Sequence, residues 1–320
     1  MRELSYAAAV GEGIREEMER DERVFVIGED IGPVREADDL FAAFRERRVW
    51  QTPISECGFT GLAVGAAAVG LRPVVEIMYC DFVTVAMDQI CNQAAKMHLM
   101  SGNRVNVPMV IKTPAGCGTR EGGHHSQSLE AWFVHTPGLK VVMPSTAYDA
   151  KGLIKSSIRD DGPVVFIQHR LLHPQTQRVP EGEWVVPLGE ADVRREGNDI
   201  TIVAWSYAVT KALAAAEALE DEIDVEVVDP RTLAPLDIDT ILKSVRKTGR
   251  LLVVQEAPER GGAGAEIVRR VVGEKMGHLK TAPQVLGGTD SPMPYSPPLE
   301  DACIPQVGDI VRRARMMAAH

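Results

Sequence analysis

Two stretches of this chain hold residue types that could move a proton or grip a ligand. The first is Thr52-Pro53-Ile54-Ser55-Glu56-Cys57-Gly58-Phe59, which runs into Gly61-Leu62-Ala63-Val64-Gly65. Proline fixes its own φ and pushes Thr52 towards extended geometry, so the chain turns here. Ser55 is a good N-cap, and a helix is predicted over 58–70. Steps of three and four residues put Gly58, Gly61 and Gly65 on one helical face. A face without side chains lets another backbone or a flat ligand come close. Glu56 therefore stands at a strand-to-helix turn. A carboxylate there either favours the helix dipole and nothing more, or points into a cleft at the carboxyl end of a parallel strand, where α/β sheets place ligands.

The second stretch is the loop Gly116-Cys117-Gly118-Thr119-Arg120-Glu121-Gly122-Gly123-His124-His125-Ser126-Gln127-Ser128. Its paired histidines could be general acid–base groups, metal ligands together with Cys117 and His135, or polar loop residues. Adjacent histidines do not readily turn both rings towards one ion, and no third ligand has a recognised spacing. A Cys117–His125 nucleophile pair lacks any cysteine-hydrolase signature. Gly11-Glu12-Gly13 follows no strand. Gly262-Ala263-Gly264 lacks the third glycine and the distal acid of a dinucleotide fingerprint, and is read as a tight helix-opening turn.

The elements that must carry these residues alternate. Strands are expected at 24–27, 49–51, 73–79, 108–112, 139–142 and 164–168. Helices are expected at 5–19, 38–47, 83–100 and 148–159, besides the one after Glu56. This is the pattern of an α/β fold, a parallel sheet covered on both faces. Prolines at 174, 180 and 187 suggest a linker. The expected domains are 1–175 and 188–320, with 176–187 between them. The second is again α/β, with strands at 200–205, 225–228 and 251–255, an irregular tract at 283–305, and a last helix at 307–317.

Composition sets outer bounds. The 320 residues leave room for about two domains. No apolar run approaches the roughly 20 residues of a membrane span. The net charge of −10 argues against a nucleic-acid partner, which calls for a basic face. Five cysteines without a C-x-x-C pattern read as free thiols in a reducing compartment. The start, Met1-Arg2-Glu3-Leu4-Ser5-Tyr6, has no signal-peptide core, so a cytoplasmic location is expected.

Several stretches together resemble one family. They are Gly28-Glu29-Asp30-Ile31-Gly32, Thr52-Pro53-Ile54-Ser55-Glu56, Gly70-Leu71-Arg72-Pro73, Asp88-Gln89 with Gln93-Ala94-Ala95-Lys96, His125-Ser126-Gln127, Pro137-Gly138-Leu139-Lys140-Val141-Val142, Asp149-Ala150-Lys151-Gly152-Leu153 and Asp229-Pro230-Arg231-Thr232. In this order they resemble the β subunits of thiamine-diphosphate-dependent 2-oxo acid dehydrogenase E1 components, which act on pyruvate, branched-chain 2-oxo acids or acetoin. The resemblance runs essentially end to end. It implies a pyrimidine-binding thiamine fold followed by a transketolase-like C-terminal domain.

The resemblance also implies roles. Glu56 matches the glutamate that hydrogen-bonds N1′ of the cofactor's aminopyrimidine, favouring the tautomer that takes the thiazolium proton. Phe82 matches the aromatic residue packed on that ring, with Ile54 beside it. His125 matches an active-site histidine near the substrate and the lipoyl group of E2. A potassium site would map to Met109, Ser157, Ile158, Asp160 and Gly162, although Gly162 departs from the residue usual there. The G-D-G motif that holds diphosphate through Mg²⁺ is missing. The resemblance therefore implies half an active site, completed by an E1 α subunit in an α₂β₂ assembly with the E2 acyltransferase as further partner.

Overall fold

The computed structural model describes residues 1–31 and 38–319; Gly32 of the first family motif lies outside them. The chain divides into two compact units. One comprises Met1–Ala115 with Trp132–Leu188, the other Gly116–Ala131 with Gly189–His320.

The first unit contains β1 (Arg2–Ser5), α1 (Tyr6–Arg20), β2 (Val24–Gly28), α2 (Asp38–Arg48), β3 (Val49–Gln51), α3 (Glu56–Ala68), β4 (Arg72–Glu76), α4 (Ala95–Met100) and β5 (Val110–Ala115). After α5 (Glu130–Val134) come β6 (Lys140–Val142), α6 (Ala147–Arg159), β7 (Val164–His169) and β8 (Thr176–Val179). The strands β6-β7-β5-β4-β2-β3 lie side by side in that order, every pair parallel. Every residue of β2 and of β7 is buried. That explains their near-continuous apolar runs, because a parallel sheet is covered on both faces. Ser5 caps α1 by accepting the Ala8 N–H at 3.2 Å. Helices α1 and α6 pack through buried charge as well as apolar contact. Lys155 reaches Glu16 at 2.5 Å and Arg159 reaches Glu17 at 2.7 Å.

The unit departs from expectation in two places. The helix predicted over 83–100 is present and starts earlier, at Cys80, but its winding changes along the way, 3₁₀ over Cys80–Ala86, π over Asp88–Ala94 and then α4. Gly138 explains part of this. A Cβ there would lie 2.1 Å from the Ala95 carbonyl oxygen, so another backbone presses on the helix where its winding changes. The stretch 176–187 is packed rather than free: β8 pairs antiparallel with β1, Trp184 stacks on Tyr148 at 5.4 Å, and Val186 is buried. It packs on the first unit, and the division between the two units follows directly after it, at Leu188 and Gly189.

The second unit contains β9 (Asp192–Arg195), β10 (Ile200–Ala204), α7 (Tyr207–Glu217), β11 (Val225–Asp229), β12 (Thr232–Ala234), α8 (Ile238–Thr248), β13 (Leu251–Pro258), α9 (Ala263–Lys275), β14 (Gln284–Gly288), α10 (Pro297–Cys303) and α11 (Val307–Ala318). Its sheet runs β14-β13-β10-β11-β9, parallel except for β9. Strand β14 and helix α10 lie inside the tract expected to be irregular. Most of β14 is only half buried and it ends in two glycines, which leaves little periodic signal. Gly262-Ala263-Gly264 does open a helix, and the Gly264 N–H donates to Gln255 Oε1 at 2.7 Å. Among the described residues no helix is long and apolar enough to cross a membrane.

Candidate active site

Glu56 begins α3, and the turn before it is pinned to the end of β2. Thr52 donates to the Gly28 carbonyl twice, from its N–H at 2.8 Å and its hydroxyl at 3.2 Å. Gly28 must lack a side chain, because a Cβ would lie 2.3 Å from the Glu76 carbonyl oxygen. Glu29 follows at once, so two carboxylates meet at this sheet edge. Glu56 is 7% exposed and Glu29 4%. Burial, and then the charge of Glu56, push the Glu29 carboxyl above the usual range, against a Met78 N–H that favours the ionised form. Among the described residues Glu29 Oε2 has no hydrogen-bond partner. Ser55 stands at the N-cap position, but its hydroxyl makes no cap bond; the helix instead opens with Phe59 N–H donating to the Ser55 carbonyl.

The open face expected of α3 holds at Gly61 and Gly65 but not at Gly58, where a Cβ would lie 2.8 Å from Ser55 Oγ. Nothing lies within 4 Å of where a Cβ of Gly65 would be, and Gly61 would meet only Gln89 Cγ at 3.4 Å. Leu62 and Val69 are exposed beside them, and Ile54 is 77% exposed. Phe82 is half buried with its ring edge-on to Tyr79, centroids 5.4 Å apart.

The sequence reading missed the polar groups that neighbour this edge. Lys112 donates to both oxygens of Glu76 at 2.6 Å. The Arg170 guanidinium lies 5.0 Å above the Tyr79 ring. His173 stacks on Tyr6 at 6.0 Å, and burial, with Lys112, His169 and Arg170 nearby, lowers its pKa to about 4. Glu29 had a legible signal: a carboxylate directly after a buried parallel strand, the same placement that singled out Glu56. The Lys112–Glu76 pair had none, because its partners lie far apart in sequence.

His125 is carried by the second unit. Its loop turns on left-handed residues, with φ of 90° at Gly116, 101° at Gly118, 65° at Arg120 and 73° at Gly122. His125 is half buried with its N–H on the Gly122 carbonyl at 3.2 Å, whereas His124 is exposed. The two neighbouring rings thus occupy different environments. Cys117 is buried, and burial with the Glu256 charge pushes its thiol pKa far up, so it stays protonated and is no nucleophile. Among the described residues no group of three His, Cys, Asp or Glu could hold a metal ion.

The residues mapped to potassium lie at the opposite edge of the first sheet. Arg72 donates to the Ile158 and Asp160 carbonyls at 2.9 Å each. Lys140 pairs with the Asp160 carboxylate at 2.5 Å, and the Gly162 N–H donates to that carboxylate at 2.7 Å. The Met109 carbonyl accepts Val164 N–H. Two side-chain cations already cross-link this corner, and each carbonyl keeps a second lone pair.

The Glu29–Glu56 edge fits one end of thiamine diphosphate and not the other. Buried carboxylates, one with an unpartnered oxygen, match the N–H donors of an aminopyrimidine. A diphosphate set directly against these two carboxylates would be repelled.

Comparison with known proteins gives the family. Residues 2–175 match the transketolase pyrimidine-binding domain, and residues 189–310 the transketolase C-terminal domain. The chain is 43% identical, over 98% of its length and 97% of the relative's, to the acetoin:2,6-dichlorophenolindophenol oxidoreductase subunit beta of Cupriavidus necator. It is also 43% identical, over 97% of its length and 69% of the relative's, to the pyruvate dehydrogenase E1 component subunit beta of Rhizobium meliloti. Among solved structures, a split-gene transketolase described as an inactive β4 tetramer superposes with a TM-score of 0.83. That match covers 99% of this chain and 98% of the other at 24% identity, a likeness of fold.

Proposed function

Because the chain belongs to the β-subunit family of thiamine-diphosphate-dependent 2-oxo acid dehydrogenase E1 components, we propose that it forms half of such an active site and works only with an α subunit. The observation that carries this is the buried Glu56 beside Glu29, at a sheet edge with charge suited to a pyrimidine and unsuited to a diphosphate. Bound thiamine diphosphate supplies the electron sink for decarboxylation of a 2-oxo acid. Glu56 would hydrogen-bond the ring nitrogen of that cofactor and share a proton with it, which a carboxylate does reversibly. Glu29, with its raised pKa, sits protonated beside that charge more readily than an ordinary carboxyl. Phe82 packs on the ring, and Ile54, exposed on the turn, meets the cofactor or the α subunit lying over it. His125 transfers a proton, or stabilises charge, as the acyl group passes to the lipoyl arm of E2. Mg²⁺ is held by the α subunit in an α₂β₂ assembly. Potassium, where it binds, uses the spare carbonyl lone pairs around Ile158 and Asp160.

The substrate is a 2-oxo acid, pyruvate or a branched-chain one, or acetoin; relatives bearing pyruvate and acetoin names are equally similar. The test is a panel of pyruvate, 3-methyl-2-oxobutanoate and acetoin. Each is given to the lone chain and to the chain reconstituted with its α subunit, thiamine diphosphate and Mg²⁺. Turnover should need both subunits. Full turnover by the lone chain, or none by the pair on any of the three, would remove the proposal. A catalytically silent scaffold for E2 is the competing reading, and absence of cofactor binding by the pair would favour it.

A further inference from the structure

In the second unit β11 lies on one side of β10 and β13 on the other, so strand order reverses between β10 and β13. In open α/β sheets the crevice outside the carboxyl ends of the strands at such a point takes the ligand. Here it lies between Trp205 and Ser206, which follow β10, and Gln255-Glu256 of β13, with Tyr207 and Lys211 of α7 alongside. Beside Glu256 lies a cavity of about 10 Å³, about the least that holds one water.

The chain's own loop 116–131 fills the crevice. Glu256 Oε1 accepts the Cys117 N–H at 2.9 Å and the Ser128 hydroxyl at 3.1 Å. Trp205 Nε1 donates to Glu130 at 3.3 Å. A second anchor comes from α10, where the fully buried Glu300 accepts the Gly118 N–H at 2.8 Å and Arg120 at 2.7 Å. Arg120 also reaches Asp301 at 2.8 Å and the Pro297 carbonyl at 3.0 Å. The Tyr295 ring closes over Gly122, leaving a Cβ there only 2.5 Å from ring carbon. Both flanks of His124-His125 are thus tied down, and the tip between them carries the histidine.

We infer that Glu256 and Glu300 are positioning residues for His125, and that the switch-point crevice of the second unit is a seat for this loop rather than a small-molecule site. A carboxylate that accepts backbone N–H groups forms the stronger, charge-assisted kind of hydrogen bond. A loop with four glycines holds one conformation only when such bonds offset the freedom it loses. The charge of Glu256 is balanced nearby by Lys211, whose ammonium donates to the Pro305 carbonyl at 2.8 Å. The inference rests on the assignment of His125 to the active site. The anchoring itself can be tested without that assignment.

The experiment uses the full chain, wild type against Glu256→Ala, Glu256→Gln and Arg120→Ala. The first readouts are amide exchange over 116–128 and alkylation of Cys117 by N-ethylmaleimide, located by mass spectrometry. Losing a hydrogen bond to a charged group should raise both rates roughly 10- to 100-fold in Glu256→Ala. Arg120→Ala, at a half-exposed residue, should give a smaller rise. Glu256→Gln keeps an acceptor but loses the charge, and should fall between wild type and Glu256→Ala. With the α subunit added, Glu256→Ala should lower kcat at unchanged thiamine diphosphate affinity, and Glu256→Gln should restore it in part. Unchanged exchange and alkylation in both alanine variants would overturn the inference, even if Glu256→Ala folds poorly and Arg120→Ala must decide. Loosened loops with normal kcat would overturn the positioning role. A wild-type pair without activity would instead defeat the E1 reading, leaving exchange and alkylation to decide whether the loop is anchored.

Discussion

The two sheet edges of this protein share a plan and differ in what fills it. Each is the carboxyl edge of a parallel sheet with a carboxylate beside a strand end, Glu29 in the first unit and Glu256 in the second. Around Glu256 both the Cys117 amide and the Ser128 hydroxyl are in place. Around Glu29 one oxygen has no partner among the described residues, the neighbouring Glu56 repels it, and the adjacent helix shows bare glycine. A buried carboxylate is expensive to leave unpaired. The proposed function uses the edge where Glu29 keeps an open oxygen, whereas Glu256 of the other edge is already taken by the chain's own loop.

The sharpest way to break this contrast is Glu56→Gln. The subunit should fold normally, and the reconstituted enzyme should lose activity by about 10²- to 10⁴-fold, the usual scale for a positioned acid–base group. Near-normal turnover would take Glu56 out of its role.

Acid separates the units next. A histidine with a lowered folded pKa binds fewer protons folded than unfolded, so stability falls as pH drops from about 6.5 towards His173's value of about 4. The loss should approach about 3 kcal/mol at pH 4. Denaturant melts across this range should show it in wild type and not in His173→Phe, with the first unit loosening before the second. Equal acid sensitivity in the variant would show that another group governs it.

Glycine substitutions probe open against filled space. Gly264→Ala would place a Cβ 2.7 Å from Gln255 Oε1 and 3.0 Å from Val253 Cγ1, and should destabilise by about 2 kcal/mol. Gly65→Ala meets nothing, and its helix propensity should stabilise the lone chain by about 0.5–1 kcal/mol. If the α-subunit complex needs that bare face, the same change should weaken assembly, read by analytical ultracentrifugation.

The smallest effect is ionic. Exchanging Na⁺ for K⁺ should stabilise the folded chain by about 1 kcal/mol at saturation if the carbonyls near Asp160 bind the ion. No difference in melting temperature would remove the ion and leave Arg72 and Lys140 to hold that corner.

Much of this was legible in the residues. The Thr52–Gly65 stretch revealed the turn, the carboxylate and the bare face, because proline geometry and helical spacing are local facts. The Gly262–Gly264 turn was read correctly for the same reason. The uncapped Ser55, the changes of helical winding after Cys80 and the packing of 176–187 were not legible. Each depends on a neighbour distant in sequence: the Gly138 turn beneath Ala95, or β1 beside β8.

By itself the sequence determined two α/β units, a carboxylate at a strand-to-helix turn and a glycine-rich loop with paired histidines, since periodicity and turn chemistry act over a few residues. Only the tertiary structure decided that Glu29 sits against Glu56 and that the histidine loop belongs to the second unit. The reason is physical: burial and charge depend on which strand ends become neighbours, and parallel strands are made neighbours by crossovers that separate them in sequence.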